Sequence, residues 1–370
     1  MSPPAAARRG FFPVAIRSIV AETGDSRVIE LSPLQDQDRG RITHRSGQHV
    51  SVRVTAGGRE IYRTYSICEP SSSGKIALGV RLLPNGVLSD WLRRCKAGDR
   101  LAVSGAQGRF YLRPPEHPRQ QSLFIASGSG ITPVISMLEE FLGAYPEAGA
   151  LLLYANRNTA STMFLERLMQ LKNRFMARFT LHFFTSREQQ AVAWRNSRID
   201  AAALGGLQDK RLLRVPDFRH FYLCGPPPMM ESCGRFLRAG GVDGARIHSE
   251  HFAPARRLDA SDSPQPQSVR GPDPAARIVA RVSVILNGTR REFNYCDRDP
   301  SVLAAAARQH IALPFACAGG VCGTCRCKIL QGRVLMEKNH ALEAQDIADG
   351  FVLACQSRPQ DGKLSLSFDY

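Results

Sequence analysis

The 370 residues hold no uninterrupted apolar run of the roughly 20 needed to span a bilayer. The longest uncharged apolar stretch, Leu123 to Leu138, is broken by Ser, Gly, Thr and Pro. The first ten residues carry Arg8 and Arg9 without the apolar h-region of a signal peptide after them, so a secretory leader is not expected and the expected location is the cytoplasm. Acidic residues are in short supply, 33 Asp and Glu against 49 Lys and Arg, for a formal net charge of +16. That excess raises nucleic acid as a partner, yet the basic residues are dispersed and lack the aromatic-laced runs of an RNA-binding surface. Dispersed charge reads as a solvated face, or as steering of an anionic cofactor or an acidic partner protein. Internal repeats and long low-complexity tracts are absent. Ten cysteines are too few for a disulfide scaffold in a chain this long. What remains, 43% hydrophobic and 22% charged residues, is the composition of ordinary globular domains, and the length suits two or three of them.

The pattern changes along the chain. His49 to Val54 and Ile76 to Leu82 alternate with period two, and Gly57-Gly58, Ser71 to Gly74 and Pro84-Asn85-Gly86 punctuate them as turns. Short strands of this kind predict a small β-barrel or sandwich. From about residue 121, the apolar segments Leu123 to Ala126, Leu151 to Ala155, Thr180 to Phe184 and Phe221 to Cys224 alternate with helical stretches such as Pro133 to Leu142 and Met163 to Lys172. That alternation predicts a parallel, doubly wound α/β sheet. Residues 254–275 carry five prolines and almost nothing apolar, which reads as a linker. A compact unit follows over residues 276–370, holding 12 basic and 9 acidic residues, so most of the charge excess precedes it.

The cysteines are unevenly placed. Cys317, Cys322 and Cys325 form C-x4-C-x2-C within a glycine-rich run, and Cys355 follows in Leu353-Ala354-Cys355-Gln356-Ser357. This is the spacing of a plant-type [2Fe–2S] site, in which two bridged irons need four thiolates. Gly319, Gly320 and Gly323 can take positive φ and bring backbone N–H groups to the sulfurs. Structural zinc is the competing reading, but zinc ligands usually come as two C-x2-4-C pairs and no second pair exists. Cys327 and Cys296 fall outside the spacing and read as small buried residues. Residues 276–370 resemble a plant-type ferredoxin domain, which implies an α+β β-grasp fold.

Three weaker motifs precede it. Arg63-Thr64-Tyr65-Ser66 combines an arginine able to neutralise a pyrophosphate, a ring able to stack on an isoalloxazine and a hydroxyl able to bond near flavin N5. Gly128-Ser129-Gly130-Ile131-Thr132-Pro133 follows a strand and opens a helix, as a phosphate-binding turn does. Its third fingerprint glycine is missing, so a standard Rossmann match fails. Cys224-Gly225-Pro226-Pro227 ends the last predicted strand, where an α/β sheet binds its ligand. Each alone is weak. In this order, and with Gly86-Val87-Leu88-Ser89, they resemble the ferredoxin–NADP⁺ reductase superfamily over residues of about 10 to 253. With the ferredoxin match, the chain is similar to reductase components of bacterial multicomponent oxygenases, of the phenylacetyl-CoA epoxidase and ketosteroid hydroxylase reductase types. Tyr154-Ala155-Asn156-Arg157, Ile247 to Phe252 and Asn339-His340-Ala341-Leu342 add to the similarity.

The resemblance implies an antiparallel FAD-binding β-barrel over 10–115, an NAD(P)-binding α/β domain over 120–253, the linker and the ferredoxin-type domain. Arg63 is expected at the FAD pyrophosphate, Tyr65 on the flavin ring with Thr64 beside it, and Ser89 capping the pyrophosphate. Val80, Arg81, Val87 and Leu88 complete the flavin-side set. Gly128, Ser129, Gly130, Thr132, Pro133, Gly225 and Pro226 are expected at the nicotinamide nucleotide. Ser66 and Cys224 should flank the catalytic point where nicotinamide meets flavin, with Glu250 and Phe252 approaching. Ser186-Arg187 resembles the pair that holds the 2′-phosphate of NADPH in plant-type reductases, and Arg157 is a second candidate. Glu188 could instead bind a ribose, as NADH would require.

The expected function is a reductase that passes electrons from NADPH, through FAD and a [2Fe–2S] cluster held by Cys317, Cys322, Cys325 and Cys355, to a separate acceptor, an oxygenase component. The alternatives are another acceptor, such as a hybrid-cluster protein or a globin, FMN in place of FAD, and a basic zinc- or nucleic-acid-binding module. The linker suggests that the ferredoxin domain moves between flavin and acceptor.

Overall fold

The computed structural model describes residues 10–35, 40, 42–56, 59–252 and 277–370. The Gly57-Gly58 turn and the linker 254–275 lie outside the described residues.

Six antiparallel strands build the first unit: β1 (Phe12–Thr23), β2 (Ser26–Pro33), β3 (His49–Ala56), β4 (Arg59–Ser66), β5 (Ile76–Arg81) and β6 (Arg100–Val103), in the order β4-β3-β6-β1-β2-β5. A bridge between Ile67 and Leu78 brings the two edges together, so the sheet closes into a barrel and the sandwich alternative falls away. Val50, Val52 and Val54 of β3 enter the barrel core with Ile16, Ile29, Leu78 and Val103. The short helix α1 (Val87–Arg94) plugs that core with Leu88 and Leu92.

The second unit is a parallel sheet of β7 (Gln121–Ser127), β8 (Gly149–Asn156), β9 (Phe179–Thr185), β10 (Phe218–Cys224) and β11 (Ile247–Glu250), ordered β11-β10-β7-β8-β9. Its strands are apolar on both faces because helices cover both. Phe124, Leu152, Tyr154 and Tyr222 pack on α2 (Ile131–Ala144) and α3 (Leu165–Arg174). Leu123, Ile125, Leu153 and Leu223 pack on α4 (Ala201–Asp209) and α5 (Pro227–Ala239). The helix expected from Met163 begins two residues later, because Phe164 takes a left-handed φ of 58° and turns Met163 into the core. The direction of winding reverses between β7 and β10, which opens a crevice at their carboxyl ends.

The third unit is a mixed sheet ordered β13-β12-β18-β14-β16, from β12 (Ile278–Leu286), β13 (Thr289–Cys296), β14 (Arg326–Gln331), β16 (Phe351–Leu353) and β18 (Lys363–Ser367). The parallel pair β12–β18 lies within it, and a separate ribbon pairs β15 (Val334–Met336) with β17 (Ser357–Pro359). Helix α6 (Val302–Arg308), capped by Ser301, is grasped by the sheet through Val302, Leu303, Ala305 and Ala306. Helix α7 (Ala344–Ala348) completes the unit. Among the described residues no helix is long and apolar enough to cross a membrane.

Candidate functional site

The reversal point of the parallel sheet organises the second unit's contribution. After β7 the chain makes one tight turn through Gly128, Ser129 and Gly130 into α2. A Cβ on Gly130 would stand 2.1 Å from the Cys224 carbonyl oxygen, so only glycine lets this turn lie against the end of β10. Buried Tyr154 donates to the Gly128 carbonyl at 3.0 Å, and Thr132 Oγ1 donates to that of Ser129 at 3.0 Å, bracing the turn from below and within. Pro133 lies buried in the first turn of α2.

Three residues named from different motifs converge beside it. Cys224 ends β10 in register with Glu250, which ends β11. Ser66 ends β4 and donates to Glu250 Oε2 at 3.5 Å. All three are buried, at 0%, 2% and 7% exposure for Cys224, Ser66 and Glu250. Burial, with the nearby Glu250 charge adding, holds the Cys224 thiol well above its ordinary pKa. Cys224 is therefore a neutral thiol rather than a nucleophilic thiolate. Phe252 packs against the core that includes Cys224.

On the barrel side, Tyr65 is half-buried against the barrel core, and burial pushes its phenol pKa up. Arg63 Nη1 donates to the Tyr62 carbonyl at 2.7 Å, and Thr64 pairs with Ser51 across the β3–β4 ladder. The Val80 side chain lies in the barrel core. Arg81 reaches across to the second unit, donating to the Ser161 carbonyl at 2.9 Å and standing beside Gly128.

Helix starts distinguish this region. α1, α2 and α5 begin at Gly86, Gly130 and Pro226, none of which supplies a side-chain cap. α4 and α6, away from the crevice, are capped by Asp200 and Ser301. The uncapped first turn of α1 leaves N–H groups for an anion, and a dinucleotide brings phosphates; α5 does so much less, because Pro227 and Pro228 carry no N–H. In the first turn of α1, Ser89 accepts from the Leu83 N–H at 3.0 Å, which leaves its own proton to donate, and Val87 is exposed beside it. Gly225 follows Cys224 and leads into Pro226. These features fit FAD and a nicotinamide nucleotide.

The candidates for the 2′-phosphate separate. Arg157 Nη2 bonds Asp25 Oδ2 at 3.0 Å. Glu188 binds the Thr159 hydroxyl at 2.9 Å and the Thr159 N–H, which fastens one loop to the next. Ser186 and Arg187 follow β9 on the surface, where the Arg187 N–H bonds the Arg157 carbonyl at 2.8 Å.

The four cluster cysteines come together in two pairs. Cys317 neighbours Cys322, and Cys325 neighbours Cys355. The Cys322 side chain, with the N–H groups of Gly319, Val321 and Cys322, holds the Cys317 thiol well below its ordinary pKa. Gly319 N and Cys322 N stand 3.3 and 3.4 Å from Cys317 Sγ, and Gln356 Nε2 lies 3.5 Å from Cys355 Sγ. Cys355 is lowered by Cys325, whereas Cys322 and Cys325 are raised by their partner cysteines and by burial. Two sulfur pairs, each with donors aimed at one member, fit two irons. Among the described residues no group of three or more His, Cys, Asp or Glu closes on a single ion. Gly320 and Gly323 take positive φ as expected, but Gly319 does not; Ala318 does, at 52°. Cys296 and Cys327 are buried outside the set.

Sequence reasoning missed the residues that join this loop to the rest. His49 and Ser51 alternate with the core valines of β3 and so face away from the barrel interior, yet they are 5% and 0% exposed. His49 Nδ1 lies 3.0 Å from Glu250 Oε1 and Nε2 lies 3.1 Å from the Cys322 carbonyl. Ser51 Oγ bonds Thr324 Oγ1 at 2.8 Å. Burial alone would lower the His49 pKa, but the bond to Glu250 and its charge outweigh burial and raise it. A polar residue among strand alternation was the available signal; what covers it was not.

Comparison with known proteins places these parts. The family model of the oxidoreductase FAD-binding domain matches residues 16–111, that of the oxidoreductase NAD-binding domain residues 124–235, and that of the 2Fe-2S iron-sulfur cluster binding domain residues 284–360. The chain is 34% identical over 364 residues to one of the subunits of the 1,2-phenylacetyl-CoA epoxidase of Escherichia coli (strain K12), covering 97% of this chain and 98% of that protein. It is 28% identical over 361 residues to the ferredoxin reductase component of 3-ketosteroid-9-alpha-monooxygenase of Rhodococcus rhodochrous, covering 96% of each. Its fold matches phthalate dioxygenase reductase with a TM-score of 0.57 at 21% identity, covering 97% of this chain and 98% of that one. It also matches an intact type IV self-sufficient cytochrome P450 monooxygenase, with a TM-score of 0.64 at 21% identity; there the match takes in 99% of this chain but only 43% of the longer protein.

Proposed function

Because this chain belongs to the family of oxidoreductases that join FAD-binding, NAD-binding and [2Fe–2S] domains, we propose that it takes its electrons from NADPH and delivers them to the oxygenase component of a multicomponent system. When bound, FAD accepts a hydride from the nicotinamide and the [2Fe–2S] cluster hands electrons on singly. The chain's own work is binding, orientation and exclusion of water.

The observation that carries this reading is the meeting of Ser66, Cys224 and Glu250, drawn from the barrel and the parallel sheet, within one side chain of the Cys322 loop. Arg63 and Ser89 hold the FAD pyrophosphate, assisted by the open first turn of α1, and Tyr65 supports the flavin ring. Ser66 and Glu250 orient the flavin's polar edge, and Cys224, as a neutral thiol, gives the nicotinamide a surface without competing charge. The Gly128–Gly130 turn holds the nucleotide phosphates, with Gly225 and Pro226 beside the nicotinamide. Cys317, Cys322, Cys325 and Cys355 hold the cluster.

NADPH over NADH is supported by the loops after β8 and β9. Glu188 is spent on Thr159 and Arg157 on Asp25, which leaves the Arg187 guanidinium for a 2′-phosphate, with Ser186 Oγ held only at 3.5 Å by the Asn156 carbonyl. An oxygenase as acceptor is supported by the relatives, one a subunit of an epoxidase and the other the ferredoxin reductase component of a monooxygenase.

The test is an anaerobic titration with NADPH and, separately, NADH, following flavin absorbance, with EPR of frozen samples for the reduced cluster. Bleaching followed by a [2Fe–2S] signal is expected, with NADPH the better donor. Arg187→Ala is expected to raise KM for NADPH about tenfold or more, the worth of one charge-assisted bond, and to leave KM for NADH nearly unchanged. Equal effects on both nucleotides would remove the NADPH assignment.

A further inference from the structure

His49 is where all three units meet. It belongs to β3 of the barrel; its Nδ1 faces Glu250, 201 residues away at the end of the parallel sheet, and its Nε2 faces the carbonyl of Cys322, 273 residues away in the cluster loop. The ring is 5% exposed. Gly108, at a φ of +103°, makes room for it, since a Cβ there would stand 2.8 Å from His49 Cε1. Reciprocal main-chain bonds between His49 and Gln107, at 3.0 and 2.8 Å, fix the strand beneath. Gln107 in turn lies against the ferredoxin unit: a Cβ on Gly323 would come within 2.6 Å of Gln107 Oε1. Two residues along β3, Ser51 bonds Thr324.

We propose that His49 is a positioning residue that sets the Cys322–Thr324 edge of the cluster loop against the Ser66–Glu250 pocket, so that electron delivery to the cluster depends on it more than flavin reduction does. The inference rests on the reductase reading above and adds the residue that couples its two halves.

The chemistry of the contacts favours this role. The Cys322 carbonyl only accepts, so Nε2 carries a proton and donates. The Glu250 carboxylate faces Nδ1 at 3.0 Å on the opposite edge of the ring. Among common side chains, imidazole alone presents two polar atoms on opposite edges of a small rigid ring. A flexible amide in its place offers no comparable fixed span. With both nitrogens engaged, rotation of the ring would break a contact to the nucleotide unit and one to the cluster loop together. Glu250 is also held by its register with Cys224 and reached by Ser66, so its place does not depend on His49 alone, whereas the cluster loop meets the barrel here.

The test uses the full-length holoprotein in stopped flow with NADPH, separating flavin bleaching from the later loss of oxidised-cluster absorbance. His49→Phe keeps a ring and removes both polar contacts. It is expected to slow cluster reduction about tenfold or more, as displacement of a reacting pair by an ångström does, and to slow flavin bleaching much less. Independently of turnover, hydrogen exchange of segments 47–53 and 320–326 is expected to rise several-fold in the variant. Dithionite should still give the wild-type EPR signal, which shows that the cluster and fold are intact. His49→Gln, which keeps one donor, is expected to recover part of the loss. If His49→Phe fails to fold, Ser51→Ala is the substitute and should slow cluster reduction selectively, though less. Equal slowing of both phases, or unchanged exchange and rates, would overturn the proposal. Failure of the wild-type protein itself to bleach, or to give a cluster signal, would instead overturn the reductase reading.

Discussion

The barrel is attached to its two neighbours in different ways. Toward the parallel-sheet unit the join is charged and close-packed. Arg167 of α3 lies between Glu69, at 3.0 Å, and Glu139 of α2. Glu140 accepts from the hydroxyls of Ser46, Ser71 and Ser72. Cys68, Ala77 and Phe110 of the barrel share a hydrophobic core with the parallel sheet. Toward the ferredoxin unit the bonds are few: His49 to Cys322, Ser51 to Thr324, and Gln107 packed on Gly323. The first join makes a single body of the barrel and the parallel-sheet unit. The second sets an orientation while involving few groups, so it can be perturbed without loss of the first.

The largest expected effect separates the two outright. Cys325→Ser removes one cluster ligand, and the reduced-cluster EPR signal should vanish while NADPH still bleaches the flavin. Loss of bleaching as well would mean that the two joins are not independent. On the charged side, Arg167→Met leaves Glu69 and Glu139 facing each other without a cation. Because the trio is partly exposed, a loss of about 2 kcal/mol in urea unfolding is expected. A change near zero would show that packing alone holds this join. Gly323→Ala strains a φ of +71° and pushes on Gln107; about 1–2 kcal/mol is expected, together with slower cluster reduction and unaltered nucleotide preference. The smallest effect is that of Ser51→Ala, about 1 kcal/mol for one buried hydrogen bond, read in the same unfolding experiment.

Much of the site was legible in sequence because its chemistry is local. C-x4-C-x2-C places three thiolates on one loop, and a turn after a strand presents its N–H groups whatever surrounds it. The alternation of Val50, Val52 and Val54 likewise marked β3. It carried no sign of what covers the other face of that strand, where His49 and Ser51 are buried. Arg157, a cation in the right loop, is held by Asp25 from the β1–β2 hairpin, a pairing over 132 positions that no motif encodes. Gly319 was assigned a backbone conformation that Ala318 adopts instead.

The sequence by itself therefore determined the three units, their order and the four cysteines whose spacing suits a cluster, since hydrophobic period, turn chemistry and ligand spacing act over a few residues. Tertiary structure alone decided which side chains of different units touch: Glu250 with Ser66, Glu188 with Thr159, and His49 with both Glu250 and Cys322. Such contacts depend on how closed surfaces pack against one another, a property of positions hundreds of residues apart that no local pattern carries.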